Sequence, residues 1–108
     1  MNLTELLRAI NTLAQNGGTG QQYEELAVNA EKLADMVHWA NGPIDAEGQW
    51  LDRLAALQDN LQQVYAQTNE PAITMLHDRL THLGQAISKH DSDLAAGHPD
   101  EDEGEDFR

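Results

Sequence analysis

Apolar residues recur at alternating spacings of three and four along most of the chain. This spacing places them on one face of an α-helix, because a helix turns once every 3.6 residues. Four such stretches occur, at about residues 3–15, 19–40, 45–67 and 71–89, and the last can continue to residue 96. No stretch shows the period of two that is typical of a half-buried β-strand. The pattern therefore predicts four amphipathic helices and no sheet.

The segments between these stretches have the composition of helix ends. They contain Asn-Gly-Gly at residues 16–18, Asn-Gly-Pro at 41–43 and Thr-Asn-Glu-Pro at 68–71. Glycine tolerates the left-handed conformation that closes a helix, and proline cannot continue one. We expect a helix to end at each of these three segments.

Three helix starts also have recognisable caps. Asn2 is followed three residues later by Glu5, and Thr19 by Gln22, which is the spacing of a capping box. Asp45 is a favourable N-cap residue for the third helix. The sequence therefore predicts both ends of most helices.

An all-α fold follows from these elements. Connections of about three to five residues favour antiparallel neighbours, so we predict an up-down-up-down four-helix bundle over residues 1–96. The segment 97–108 is dominated by acidic residues that repel one another and bury nothing, which predicts a disordered acidic tail. A helical-hairpin dimer is the alternative, because the short, leucine-rich first helix could pair with a second copy.

The charge of the chain limits its partners. It carries 19 Asp and Glu against 6 Lys and Arg, a formal net charge of −13. This charge repels nucleic acid and anionic membrane surfaces, so we expect no direct nucleic-acid binding and a protein partner with a basic surface. No run of about 18 apolar residues is present, and the N-terminus lacks a signal-peptide pattern. These features favour a cytoplasmic protein that does not enter membranes.

Candidate chemistry is sparse. The chain has no cysteine, which excludes disulfides and thiolate zinc sites. His77 and His82 are five residues apart and so lie on different helix faces, whereas helical metal ligands are usually three or four apart. Ser88 and Ser92 are the only serines, and neither lies in a nucleophile motif. We therefore predict no enzyme activity, no metal site and no cofactor.

Acidic residues form two regular columns. Glu24, Glu31 and Asp35 fall on one side of the second helix. Asp52 and Asp59 continue a seven-residue spacing that begins at position 45 in the third helix, and seven residues span about 10.5 Å. Such columns are either ordinary solvated faces or surfaces that dock on a basic groove.

Two tryptophans flank the 41–43 break. Trp50 lies on the apolar seam of the third helix, which favours a core position. Trp39 lies off the seam of the second helix, where it either caps the end of the bundle or serves as an exposed interface anchor.

The main functional hypothesis is a non-enzymatic protein-binding module, such as an adaptor, chaperone or inhibitor. Its predicted partner-binding residues are Glu24, Glu31, Asp35, Trp39, Asp52 and Asp59. One alternative is an acidic nucleic-acid mimic, of the kind that a phage or mobile element could encode, which inhibits a host DNA- or RNA-binding protein. The other is a structural or assembly protein that forms a homodimer through its first helix.

Overall fold

The computed structural model describes residues 2–45 and 48–95. It contains four helices: α1 (Leu3–Asn16), α2 (Gly20–Val37), α3 (Gln49–Thr68) and α4 (Pro71–Ala95). No strand occurs within the described ranges. The four helices enclose one core within a single chain, which confirms the predicted all-α four-helix bundle. The predicted tail, residues 97–108, lies outside the described residues.

The predicted capping boxes are confirmed at the first two helices. The Glu5 amide donates to Asn2 Oδ1 (2.8 Å), and the Asn2 amide donates to Glu5 Oε1 (2.9 Å). Thr19 and Gln22 form the same reciprocal pair at the start of α2. Each box satisfies N–H groups that have no partner within the helix, so these two starts are fixed by local sequence.

The helices form a ring in which α1 and α4 are diagonal, as are α2 and α3. α1 contacts α2 and α3, and α4 contacts the same two helices. Gly20 lies beside Glu70 at the starts of α2 and α4, and Glu31 pairs with Arg79 further along, so these two helices run in the same direction. Helices that follow one another along the chain alternate in direction. Because α2 and α4 are adjacent in the ring, however, two of the helices that pack together are parallel.

The prediction of short connections is wrong for α2 and α3. Their connection spans residues 38–48, because α2 ends at Val37 rather than near residue 40 and α3 begins at Gln49 rather than near residue 45. A connection of eleven residues is needed here because α2 and α3 lie on opposite corners of the ring. It crosses the end of the bundle where α2 and α4 terminate.

Two carboxylates hold this connection in place. The amides of Ile44 and Asp45 donate to the carboxylate of Asp91 in α4, at 2.8 and 2.7 Å. The carboxylate of Asp45 then accepts from the amides of Trp50 (2.7 Å) and Leu51 (3.2 Å) in the first turn of α3. The N-cap residue of α3 is therefore Gly48 and not, as the sequence predicted, Asp45, although the Asp45 carboxylate still accepts from two amides of the first turn.

The core consists of apolar side chains from all four helices. The described residues contain no buried polar or charged residue. α2 and α4 each supply six buried residues, and those of α4 repeat at spacings of three and four from Ile73 onwards. The buried positions of α4 are Ala72, Ile73, Leu76, Leu80, Leu83 and Ile87.

Candidate functional site

Four of the predicted partner-binding residues lie on one face of α2 and its C-terminal extension. Glu24, Glu31, Asp35 and Trp39 are all exposed. The spacings of seven and four keep Glu24, Glu31 and Asp35 on the side of the helix that points away from the core, and Trp39 follows two residues after the helix ends. The structure therefore brings these four side chains onto one continuous surface.

The other two predicted residues belong to a different surface. Asp52 and Asp59 are exposed on α3, and α3 makes no contact with α2. Asp45, which begins the seven-residue spacing in the sequence, lies in the connection and binds the first turn of α3. The six predicted residues consequently divide into an α2 group of four and an α3 group of two.

Val28 was missed by the sequence analysis and lies within the α2 group. It is four residues after Glu24 and three before Glu31, and half of it is exposed (50%). An apolar residue at these spacings from two acids is the signal that could have placed it on the outer face. We call the surface formed by Glu24, Val28, Glu31, Asp35 and Trp39 the α2 face.

Trp39 is the largest exposed apolar group on the α2 face. It is 79% exposed, and its ring meets the His38 ring edge-on with centroids 5.5 Å apart. Met36, 62% exposed, lies one helical turn before it. Of the two positions that the sequence left open for Trp39, the structure shows the exposed one. The ring does not cap the core.

Trp50 has a different environment. It is partly buried and packs against the core cluster, and the Arg53 guanidinium carbon lies 5.1 Å from its ring centroid. This position agrees with the core role predicted from the apolar seam. The two tryptophans therefore differ in environment: Trp39 is exposed and Trp50 packs against the core.

The negative charge of the α2 face is partly balanced. Arg79 Nε of α4 donates to Glu31 Oε1 at 3.2 Å. Both side chains are substantially exposed, so this ion pair contributes little to stability, about 0.2–1 kcal/mol before screening by salt. Within the described ranges the other ion pair joins Lys89 to Asp93 on α4. Glu24 and Asp35 are left as the unpaired carboxylates of the α2 face.

The histidines and carboxylates of the described part of the chain are spread over several elements. No three His, Asp or Glu side chains there lie close enough to hold a metal ion. His77 Nε2 lies 3.4 Å from Gln62 Nε2, and His90 Nε2 lies 3.1 Å from the Gly42 carbonyl oxygen. These contacts link helices and loops.

Burial shifts the pKa of one described side chain clearly, that of Tyr23. Desolvation raises the pKa of the Tyr23 hydroxyl above its usual value of 10.0, and the negative charge of Glu70 raises it further. Tyr23 lies in the core between α2 and the start of α4. Its role is structural, because it lies away from the α2 face.

None of the four helices, over the residues described, combines the length and apolarity that crossing a membrane requires. Comparison of the chain with protein-family models, with curated proteins and with solved structures finds no match.

Proposed function

We propose that this chain is a non-enzymatic protein-binding module that docks a basic partner protein through the α2 face. The observation that carries the proposal is Trp39, a tryptophan 79% exposed at the end of a row of carboxylates. An adaptor, a chaperone and an inhibitor would all use such a surface. The partner would present a pocket for the indole ring beside lysine or arginine side chains.

The α2 face combines an apolar anchor at one end with a row of carboxylates along the helix. Tryptophan supplies a large contact area and loses little conformational freedom on binding, which is why it is enriched among energetically dominant interface residues. Val28 adds an apolar contact about 16 Å along the helix, at 1.5 Å per residue over eleven residues. Glu24 and Asp35 lie near these apolar groups and would steer a basic partner towards them.

The test begins with identification of the partner by affinity capture and continues with the purified complex. Trp39→Ala is expected to weaken binding by tenfold or more, which corresponds to about 1.4 kcal/mol. Tyr65→Ala is the matched control, because Tyr65 is an exposed aromatic residue on α3. Both variants should keep their helical content, since exposed substitutions usually change stability by less than about 0.5 kcal/mol.

A second pair of variants separates the two acidic surfaces. Glu24→Gln with Asp35→Asn removes two charges from α2, and Asp52→Asn with Asp59→Asn removes two from α3. The first pair should weaken binding and reduce its salt dependence, whereas the second should leave both unchanged. The proposal is wrong if the α3 pair alone weakens binding, or if neither pair nor Trp39→Ala does.

The nucleic-acid mimic is a distinct outcome of the same experiment. In that case, added DNA or RNA would release the partner, and binding would fall steeply with salt. Docking centred on Trp39 predicts weaker salt dependence and no competition by nucleic acid. Sedimentation of the chain alone tests the third hypothesis, self-association as an assembly protein.

A further inference from the structure

The groove between α1 and α3 is lined by two arginines and by no acidic residue. It has a volume of about 340 Å³. Arg8 contributes from α1 and Arg53 from α3, with Trp50 at one side. The remaining lining residues are Thr4, Leu7, Asn11, Ala56 and Leu57.

The two arginines are not neutralised within the described part of the chain. Of its five basic residues, Arg79 and Lys89 form ion pairs, whereas Arg8, Lys32 and Arg53 form none. Glu5, the acid closest to Arg8 in sequence on its own helix, accepts the Asn2 amide in the capping box. In a chain of net charge −13, the groove is therefore a local site of positive charge.

Trp50 gives this site a second means of recognition. The Arg53 guanidinium carbon lies over its ring, 5.1 Å from the centroid, which is within cation–π distance. Arginine has five N–H donors, and stacking leaves those at its edge available to carboxylates. A carboxylate-rich, extended peptide fits the chemistry of the groove.

We propose that the acidic segment 100–106 of this same chain occupies the α1/α3 groove. Six of its seven residues are Asp or Glu, which complements Arg8 and Arg53. Its composition predicts no fold of its own, and binding by charge in an extended form requires none. The proposal concerns a different surface from the α2 face and does not depend on the function proposed for that face.

The position of the end of α4 allows the segment 100–106 to reach the α1/α3 groove. Asp91 of α4 binds the Asp45 amide, and the Asp45 carboxylate binds the Trp50 amide, so the end of α4 and the start of α3 lie at the same end of the bundle. α4 extends four residues beyond Asp91, to Ala95. At about 3.3 Å per residue, the chain can reach about 17 Å by residue 100 and about 36 Å by residue 106. Neighbouring helices are about 8–10 Å apart, so the groove on the far side of α3 is within reach.

A spin label tests the contact directly. The chain has no cysteine, so Gly104→Cys gives a single attachment site for a nitroxide without removing a charge. In the full chain at low salt, the nitroxide should broaden backbone amide signals of α1 and α3 around Arg8 and Arg53. Broadening should be lost at 1 M salt, where the Debye length is about 3 Å.

Charge-neutral variants provide the matched control. Arg8→Gln with Arg53→Gln should abolish the broadening, whereas Lys32→Gln with Lys89→Gln, which removes the same charge elsewhere, should preserve it. Circular dichroism must show equal helical content in both, because Arg53 also contacts Trp50. If the arginine pair unfolds, the single variant Arg8→Gln replaces it, and broadening should then be reduced.

Three results would overturn the proposal. Broadening could be absent, or it could fall on residues outside the groove. It could also arise only when spin-labelled chains are mixed with separate isotope-labelled chains, in which case the occupant of the groove is a second copy. Broadening that is independent of dilution and confined to the groove supports the contact within one chain.

Discussion

Asp91 is expected to stabilise the bundle through bonds that span nearly half of the chain. Asp91→Ala removes the acceptors for the Ile44 and Asp45 amides, at 2.8 and 2.7 Å. It also releases the backbone of Asp45, whose carboxylate caps the first turn of α3 at the Trp50 amide. The substitution should therefore loosen the whole connection between α2 and α3.

The size of the effect follows from the number of bonds and their exposure. A hydrogen bond to a charged acceptor contributes about 1.5–3 kcal/mol when it is well shielded. Asp91 is only half-buried, so water can replace part of each hydrogen bond when it breaks. We therefore expect each bond to contribute about 1 kcal/mol to the free energy of unfolding. Asp91→Ala should then lower the free energy of unfolding by about 2 kcal/mol, or Tm by roughly 8–16 °C. Asp91→Asn retains one acceptor oxygen and should lose about half as much.

Urea unfolding measures this change, and Asp93→Ala is its control. Asp93 lies on the same helix, and its substitution removes an exposed ion pair with Lys89 that is worth about 0.5 kcal/mol or less. Hydrogen exchange at the Ile44 and Asp45 amides should accelerate in the Asp91 variants alone. The reasoning fails if Asp91→Ala costs no more than Asp93→Ala and leaves exchange at these two amides unchanged.

Three further substitutions test the core. Gly84→Ala should raise the free energy of unfolding by about 0.5–1 kcal/mol, because glycine is unfavourable inside a helix and an added Cβ would lie 3.8 Å from side chains of α3, an ordinary contact. A lower free energy of unfolding, measured in urea, would show that α3 and α4 cannot accommodate the added methyl group. Leu80→Ala should cost about 2–5 kcal/mol in the same assay, since Leu80 is fully buried, and a loss below about 1 kcal/mol would contradict the core assignment. Because the pKa of Tyr23 is raised in the folded chain, its hydroxyl ionises at a lower pH in the unfolded chain than in the folded one. The contribution of this hydroxyl to the free energy of unfolding is therefore complete below pH about 10 and is lost as the pH rises towards the higher folded pKa. Thermal unfolding of Tyr23→Phe should therefore show a weaker fall in Tm above pH about 10 than the parent chain, whereas an equal fall would assign the alkaline loss to other groups.

The helices and two of their starts could be predicted because the determining signals are local. Apolar residues at spacings of three and four define a buried face wherever they occur, and α4 shows this along its length. The reciprocal bonds of Asn2 with Glu5 span only three residues. Such signals need no knowledge of what the helix packs against.

The arrangement of the helices could not be predicted in the same way. Asp91 binds amides 46 and 47 residues away, and nothing near it in sequence marks it as an anchor. The start of α3 was misplaced because the Asp45 carboxylate binds the Trp50 and Leu51 amides from four residues before the first helical residue, Gln49. Gly48 precedes the helix in the left-handed region at φ 73°. A sequence pattern identifies the capping side chain, but the fold determines its distance from the helix.

The exposure of Trp39 was left open for a related reason. α2 ends at Val37, so helical periodicity no longer assigns a face two residues later. The His38 and Trp39 positions depend on how the connection turns towards Asp91. Val28, in contrast, lies well inside α2, where its spacing from Glu24 does assign it to the outer face.

The order of the helices in the ring places the two acidic columns on opposite sides of the bundle. α2 and α3 occupy diagonal corners, so the carboxylates of Glu24 and Asp35 face away from those of Asp52 and Asp59. A rigid partner can contact one column and must leave the other in solvent. The α2 column is accompanied by Trp39, which is 79% exposed, whereas the large exposed apolar residue described on α3 is Tyr65, at 39%. Charge alone would give two equivalent surfaces, and the addition of an apolar anchor to one of them is what favours α2 as the docking face.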